Sequence, residues 1–587
     1  MDGRKVGRVI GRLSVAALAL LLAACGVHSA KKVIVIGVDG MDPGFVERHW
    51  NDLPHLRRLA FTRLATTTPP QSPVAWSTFI TGLDPADHGI FDFVHRDPAT
   101  HELFLSTDRI VGPRFHLPFG NWDLPLSAPR VESLRRGKAF WQTLSENGVP
   151  VTIVRVPANY PPLPFGNEIS GMETPDLRGT QSTFAFYTDD PAESDHAVPA
   201  GLIRNVALNY GHADLEIEGP PNSLRKDAAY ATVRMAVDVD AERPVARFEA
   251  GGELAVLKEG EWSDWIPLDF PLLPHLVSAR GMVRIFVKQL HPRFEVYVSP
   301  VNIDPQKPAL PVSSPASFAK DMGRFYTVGI AEDSAAVRQG VFSLPEFLVQ
   351  SREVLKDERR LLDKSLDRFQ GGFLFFYFSS VDQNSHMLWG KHDAELTEFY
   401  RAIDAAVGEV MRREPDAQIV VMSDHGFSAF DRAVNLNTWL LEEGLLARDN
   451  AGGIDWTYTR AYAMGLNALY LNGANLADVQ RRLLALRDPS NGRAVVETAT
   501  ALHPAPENRR VAPDLVVGYS PGYRASWRTG LGEVPETVFE DNNDAWIADH
   551  CINAADVPGV LFTSPGIVAP NPSLKSLSRV ILGLFGE

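Results

Sequence analysis

Val33-Ile34-Val35-Ile36-Gly37-Val38-Asp39-Gly40 is the stretch on which the fold turns. Its apolar run is short, rich in β-branched residues and closed by a carboxylate, which reads as a buried strand of a parallel-type sheet. Two further stretches repeat the pattern. Phe373-Leu374-Phe375-Phe376-Tyr377-Phe378 passes through Ser379-Ser380-Val381 to Asp382, with His386 four residues on. Ile419-Val420-Val421-Met422 passes through Ser423 to Asp424-His425. In open α/β sheets the functional crevice lies beyond the carboxyl ends of the strands. Distant segments therefore aim Asp and His at one edge, and this set of O and N ligands suits a divalent metal, zinc or manganese.

Outward from β-type residues 33–38, the pattern predicts a turn at 40–44, a helix near 53–64 and a second helix at 72–81, stopped by Gly82. A helix at 139–147 and a strand at 151–156 follow, the strand cut off by Pro157 and the proline cluster at 161–164. Near residue 206 the period changes. Segments such as 212–219, 231–238 and 293–299 alternate apolar and polar residues, the pattern of half-buried antiparallel strands. The expected fold class is α/β: a central, mostly parallel sheet flanked by helices, built from 26–205 and 306–587 and interrupted by a β-rich insertion at 206–305. Helices are expected at 344–368 and 395–413. The charged segment Lys356-Asp357-Glu358-Arg359-Arg360 reads as a solvated face of the first.

The chain has 587 residues, 45% hydrophobic and 22% charged, as in ordinary globular proteins. A net charge of -15 argues against a nucleic-acid partner, because a phosphate backbone needs a basic surface. A phosphate-bearing small substrate stays open, since bound metal inverts the local charge. Arg4, Lys5, Arg8 and Arg12 precede an apolar stretch at 15–24 that is too short to span a bilayer. It ends Leu22-Ala23-Ala24-Cys25-Gly26, which resembles a bacterial lipoprotein cleavage box. Residues 1–25 are thus expected to direct export, with Cys25 lipidated and anchoring the protein at the cell envelope; the alternative is a plain secretory signal that leaves it periplasmic. Cys551 is then left without an intramolecular disulfide partner.

Ser72-Pro73 opens the helix at 72–81 and reads as an N-cap followed by proline at the first helical position. A serine there sits where backbone N–H groups and the helix dipole favour an anion. With a candidate metal ligand upstream at Asp39, a metal could lower the pKa of the Ser72 hydroxyl and make it a nucleophile. Asp382 and His386, four apart, share one face if the segment is helical.

Taken together, these segments resemble the alkaline phosphatase superfamily, and within it the type I phosphodiesterase/nucleotide pyrophosphatase branch. Gly37-Val38-Asp39-Gly40 resembles its first metal-ligand strand. Ser72 through Thr81-Gly82-Leu83-Asp84-Pro85-Ala86-Asp87-His88-Gly89-Ile90 resembles the nucleophile helix and following turn. Ser379 through Trp389 resembles the second ligand strand, and Ser423-Asp424-His425-Gly426-Phe427 the third.

The resemblance implies two divalent ions, one on Asp39, Ser72, Asp424 and His425 and the other on Asp382, His386 and His550. Here His550 is the late ligand ahead of His503 and His392. It also implies an exported hydrolase of small-molecule or lipid-linked phosphoric esters that works through phospho-Ser72. Rival expectations are phosphonate or sulfate ester hydrolysis, head-group transfer, or a non-catalytic envelope lipoprotein with a structural metal core. Ser72-Pro73-Val74-Ala75 lacks the Cys/Ser-x-Pro-x-Arg context of sulfatases. One departure stands out. Phe93 occupies the position where the branch places an Asn that contacts a phosphoryl oxygen, and a phenyl ring cannot donate that bond. Trp76 reads as core, His88 as part of a turn, and Cys551 as a buried small hydrophobe. Asn159, Asp176 and Arg178 are candidates to reach the substrate.

Overall fold

The computed structural model describes residues 31–127 and 129–587. The expected targeting segment, with Cys25, lies outside them. Among the described residues no helix is long and apolar enough to cross a membrane.

The central sheet consists of β1 (Lys32–Val38), β2 (Ala60–Leu64), β3 (Val151–Val154), β4 (Asn167–Ile169), β5 (Ser313–Ser314), β6 (Gly372–Phe378), β7 (Gln418–Met422) and β8 (Gly559–Thr563). Their spatial order is β2-β8-β7-β1-β6-β3-β4-β5. Neighbours from β7 to β4 pair in parallel, while β8, β2 and β5 add antiparallel pairs at the two sides, so the sheet is mixed. Ile36 is level with both Phe376 and Val421, so β1, β6 and β7 end together.

The flanking helices used below are α1 (Ser72–Thr81), α2 (Phe140–Glu146), α3 (Leu344–Arg368), α4 (Ser380–Leu388), α5 (Asp393–Arg413) and α6 (Leu574–Phe585). Ile34, Ile36 and Val38 turn to one face with Leu374, Phe376 and Phe378, under apolar residues of α3 and α5. Val33 and Val35 turn to the other face with Phe373, Phe375 and Val420, against α1, α2 and α6. Cover on both faces is why these strands carry unbroken apolar runs. Each fully buried Leu, Ile or Phe contributes about 1.5–3 kcal/mol relative to exposure. Gly37 interrupts β1 for a steric reason: a Cβ there would stand 2.7 Å from the Trp76 ring and 2.8 Å from Phe375.

The helix expected at 53–64 is not formed. Leu56–Arg58 is a single 3-10 turn, and Ala60–Leu64 is the edge strand β2, paired with β8. Asp404 of α5 accepts the backbone N–H groups of His55 and Leu56 at the start of the turn, and Leu59 leaves it in extended backbone, which passes the following residues to the sheet. The alternating segments form strands. In His212–Pro221, Ala213, Leu215 and Ile217 are buried between exposed Asp214 and Glu216. Phe184–Thr188 and Gly201–Asn205 precede residue 206, yet they share a five-stranded sheet with Ile285–Gln289 and Glu295–Val298. That sheet therefore crosses the point at which the sequence period changes.

Candidate active site

The candidate ligands arrive on separate pieces of backbone and meet at the carboxyl edge of the sheet. Asp39 follows β1 directly, and its N–H donates to Phe378 O of β6 at 3.0 Å. Asp424 and His425 follow β7 after Ser423, whose hydroxyl donates to Met41 O and accepts from Val560 N. Asp382 and His386 lie one turn apart on α4, with Nε2 of His386 3.5 Å from Asp382 Oδ2. His550 follows the short strand Ala548–Asp549, and its ring stacks on His425 with centroids 3.6 Å apart. Two buried groups result, Asp39–Asp424–His425 and Asp382–His386–His550, each with its ligand atoms within 4.8 Å of one another.

Three observations fit these groups to divalent cations. First, all three imidazoles donate from Nδ1 to a backbone carbonyl: His386 to Ala548 O, His550 to Pro70 O and His425 to Gly426 O. A carbonyl can only accept, so the proton lies on Nδ1 and the ring nitrogen turned to the carboxylates is Nε2, which carries the lone pair in a neutral imidazole. Second, Asp382 Oδ1 and Asp424 Oδ2 are buried acceptors without a hydrogen-bond partner. Third, the carboxyls resist ionisation as they stand. Burial, with Asp382 nearby, pushes Asp39 up to about 7. Burial likewise pushes Asp382 up to about 7, and burial with Asp39 and Asp382 holds Asp424 well above the usual carboxylate range. Burial lowers His386 to about 4, so its imidazole is neutral. Cations held here would offset this accumulation of negative charge.

Ser72 lies beside the first group. Its Oγ is 3.2 Å from His425 Nε2 and 3.4 Å from Asp39 Oδ1. The cap of α1 is one residue earlier than expected. Gln71 is the N-cap, its carbonyl accepting from Val74 and Ala75, and Ser72 is the first helical residue. The Ser72 hydroxyl is therefore not occupied in capping.

Several supporting residues carry little signal in the sequence. Tyr377, inside an aromatic run read as wholly apolar, donates to Asp39 Oδ2 at 2.7 Å, and Trp76 Nε1 donates to the same oxygen at 3.0 Å. Trp76 is otherwise core, packed against Phe79, Phe375 and Tyr377. Trp546 stacks on His386 with centroids 3.6 Å apart and donates to Asp549. Asp549 also meets Arg524 at 2.7 Å, both residues being buried. Burial opposes its ionisation, but Arg524 and the neighbouring histidines outweigh this and hold it well below the usual range. Asp549 could have been singled out by its place beside His550; nothing in the sequence marks Arg524.

The remaining candidates resolve as follows. Phe93 is half-buried, with its N–H on Gln71 Oε1. The nearby amides of Gln71 and Asn467 are committed to Asp92, to each other and to the carbonyls of Val517 and Cys551. His88 is buried and ties Thr78 to Ile90, which fixes the turn after α1. Asn159 bonds Glu168 and Arg135. Asp176 closes a turn on Thr180 and Thr183, and Arg178 pairs with Glu218, so both side chains serve the loop and the β-rich region. Cys551 is buried, and burial pushes its thiol well up. His392 sits at the start of α5 and His503 is exposed; neither is in either group.

The family model of type I phosphodiesterase / nucleotide pyrophosphatase matches residues 33–205 and 306–538. Among solved structures, phosphonoacetate hydrolase from Sinorhizobium meliloti 1021 in complex with phosphonoformate is 14% identical over 95% of this chain and 96% of that one, with a TM-score of 0.45. Murine ectonucleotide pyrophosphatase / phosphodiesterase 5 is 10% identical over 94% and 95%, with a TM-score of 0.39. Its human counterpart is 9% identical over 94% of each chain, with a TM-score of 0.41. No curated protein matches the chain.

Proposed function

Because the chain belongs to the type I phosphodiesterase / nucleotide pyrophosphatase family and is a metal-dependent phosphoric ester hydrolase, we propose that Ser72 is its nucleophile. Two divalent ions, zinc by the character of the donors, would sit on Asp39, Asp424, His425 and Ser72 and on Asp382, His386 and His550. When bound, they neutralise charge on the phosphoryl oxygens and lower the pKa of the Ser72 hydroxyl. Ser72 Oγ gives up its proton and bonds to phosphorus as the ester P–O bond breaks, and the leaving oxygen takes up a proton in exchange and departs as the alcohol. Water then attacks phosphorus, the P–Oγ bond breaks, and Ser72 regains its proton. Tyr377 and Trp76 hold Asp39 in place through both steps. The N-terminus of α1 favours the anionic phosphoryl group beside Ser72.

The observation that carries this reading is the placing of one hydroxyl, free of capping, within 3.4 Å of Asp39 and His425 in the first ligand group. Ser72→Ala should lower turnover of aryl phosphodiesters and monoesters by roughly 10³–10⁶-fold while zinc content stays near that of the parent. Full activity in that variant would rule out the nucleophile. The Arg4-to-Cys25 pattern further supports export with lipid attachment at Cys25. Cys25→Ser should then move the protein from the membrane fraction to the soluble fraction, and an unchanged partition would refute the anchor.

A further inference from the structure

At the start of α4, two carboxyls are buried side by side. Glu332 and Glu358 are 2% and 0% exposed. Both face the start of α4. Ser379 N–H donates to Glu358 Oε1 at 2.9 Å. The Ser379 hydroxyl lies 2.9 Å from that same oxygen and 3.1 Å from each Glu332 oxygen. The Ser380 hydroxyl lies 3.0 Å from Glu332 Oε1 and 2.8 Å from Glu358 Oε2. A hydroxyl has one proton to donate, so two serines cannot satisfy all five hydroxyl contacts at once. Some of these contacts are bonds only if the pair carries a proton of its own. The guanidinium of Arg155, 1% exposed, is the nearby countercharge acting on both carboxyls. Asn384, one turn along α4, donates to Ser351 of α3, the helix that carries Glu358.

We propose that Glu332 and Glu358 are positioning residues for the second ion: they clamp the first turn of α4 and so set where Asp382 and His386 stand. This rests on the two-ion reading of the site. Buried carboxyls are costly, and replacing such groups by apolar ones is often neutral or stabilising. Here they face a helix N-terminus, where negative charge is favourable, and the helix carries two of the three ligands in that group. Nothing else among the described contacts bonds the Ser379 and Ser380 side chains. Groups that orient metal ligands from behind typically change metal affinity by about 10–100-fold when removed.

The test compares the parent chain with Ser380→Ala, Glu358→Gln and Glu332→Gln. Zinc is the probe, and affinity at each site is read by competition with a chromophoric chelator alongside thermal unfolding of the chelated proteins. The expected result is two zinc ions on the parent and, in Ser380→Ala and Glu358→Gln, about 10–100-fold weaker binding at one site with the other unchanged. His386→Ala should weaken that same site. Ser380→Ala removes only a hydroxyl, so it reports even if a Gln variant fails to fold. If Ser380→Ala and any folded Gln variant bind both ions like the parent, with only the melting temperature moved, the clamp is merely structural and the inference falls. A parent that binds fewer than two ions overturns the two-ion reading itself, and the inference with it.

Discussion

The two candidate ligand groups draw on the same donor types, carboxylate and imidazole, but are held in different ways. Asp39, Asp424 and His425 sit within three residues of the ends of central-sheet strands, so the hydrogen-bond ladder of β1, β6 and β7 positions them. Asp382 and His386 sit on a helix, and His550 follows the two-residue strand Ala548–Asp549, which lies outside the central sheet. Their places depend on side chains from elsewhere: Trp546 against His386, the Glu332–Glu358 pair under α4, and Arg524 behind Asp549. A ladder is cooperative and hard to perturb one residue at a time, whereas side-chain supports can be removed singly. The second group should therefore be the more sensitive to changes outside the ligands.

At the ligands themselves the two groups should behave alike. Asp424→Asn and Asp382→Asn should each lower kcat on the order of 10³-fold, because each ion supplies several kcal/mol of charge stabilisation. Zinc per chain and kcat measured together check this, and near-parental kcat in either variant would remove that group from the mechanism. Next in size is Arg524→Met. It leaves Asp549 buried without its cation and should destabilise the protein by about 3–5 kcal/mol in urea unfolding. A loss under 1 kcal/mol would mean that the pair does not support the second group.

The sharpest contrast comes from Trp546→Ala and Tyr377→Phe. The first removes the ring under His386 and should weaken one zinc site by about 10–100-fold. The second should weaken the other site by no more than about 10-fold, since Trp76 still donates to Asp39 and the ladder still holds it. Equal effects would erase the proposed difference in support.

The smallest effect per step is that of pH on the chelated protein. Asp39 and Asp382 have folded values of about 7 against a reference of 3.8. Between those values the folded state holds protons that the unfolded chain has released. Stability is therefore greatest below the unfolded value and is lost as pH rises through 7, by up to about 1.4 kcal/mol per pH unit for each carboxyl. Zinc, which favours the ionised form, should flatten this slope. The chelated parent should lose more stability across this window than its Asp39→Asn and Asp382→Asn variants, and equal slopes in parent and variants would contradict the direction of both shifts.

The edge of the sheet was legible because each ligand strand announces itself locally, as an apolar run closed by Asp. The supports were not. Glu358 sits in a segment of five charged residues and reads as solvent-facing, yet the structure buries it. Its spacing held the clue: Ser351, Val354, Leu355, Leu361, Leu362 and Ser365 of α3 are buried, and position 358 falls on that stripe. The strand at Ala60–Leu64 was misread as helix because its partner, β8, lies about 500 residues away in sequence.

The amino-acid sequence by itself determined the elements whose burial demands a local composition. These are the unbroken apolar strands β1, β6 and β7, the helix opened by Ser72-Pro73, and the alternating strands beyond residue 206. Tertiary structure alone decided which imidazoles share a carboxylate, which oxygens are left without partners, and which charged residues are buried as supports. Those outcomes depend on contacts between residues far apart in the chain, where the desolvation of one group is balanced by another that no local pattern reveals.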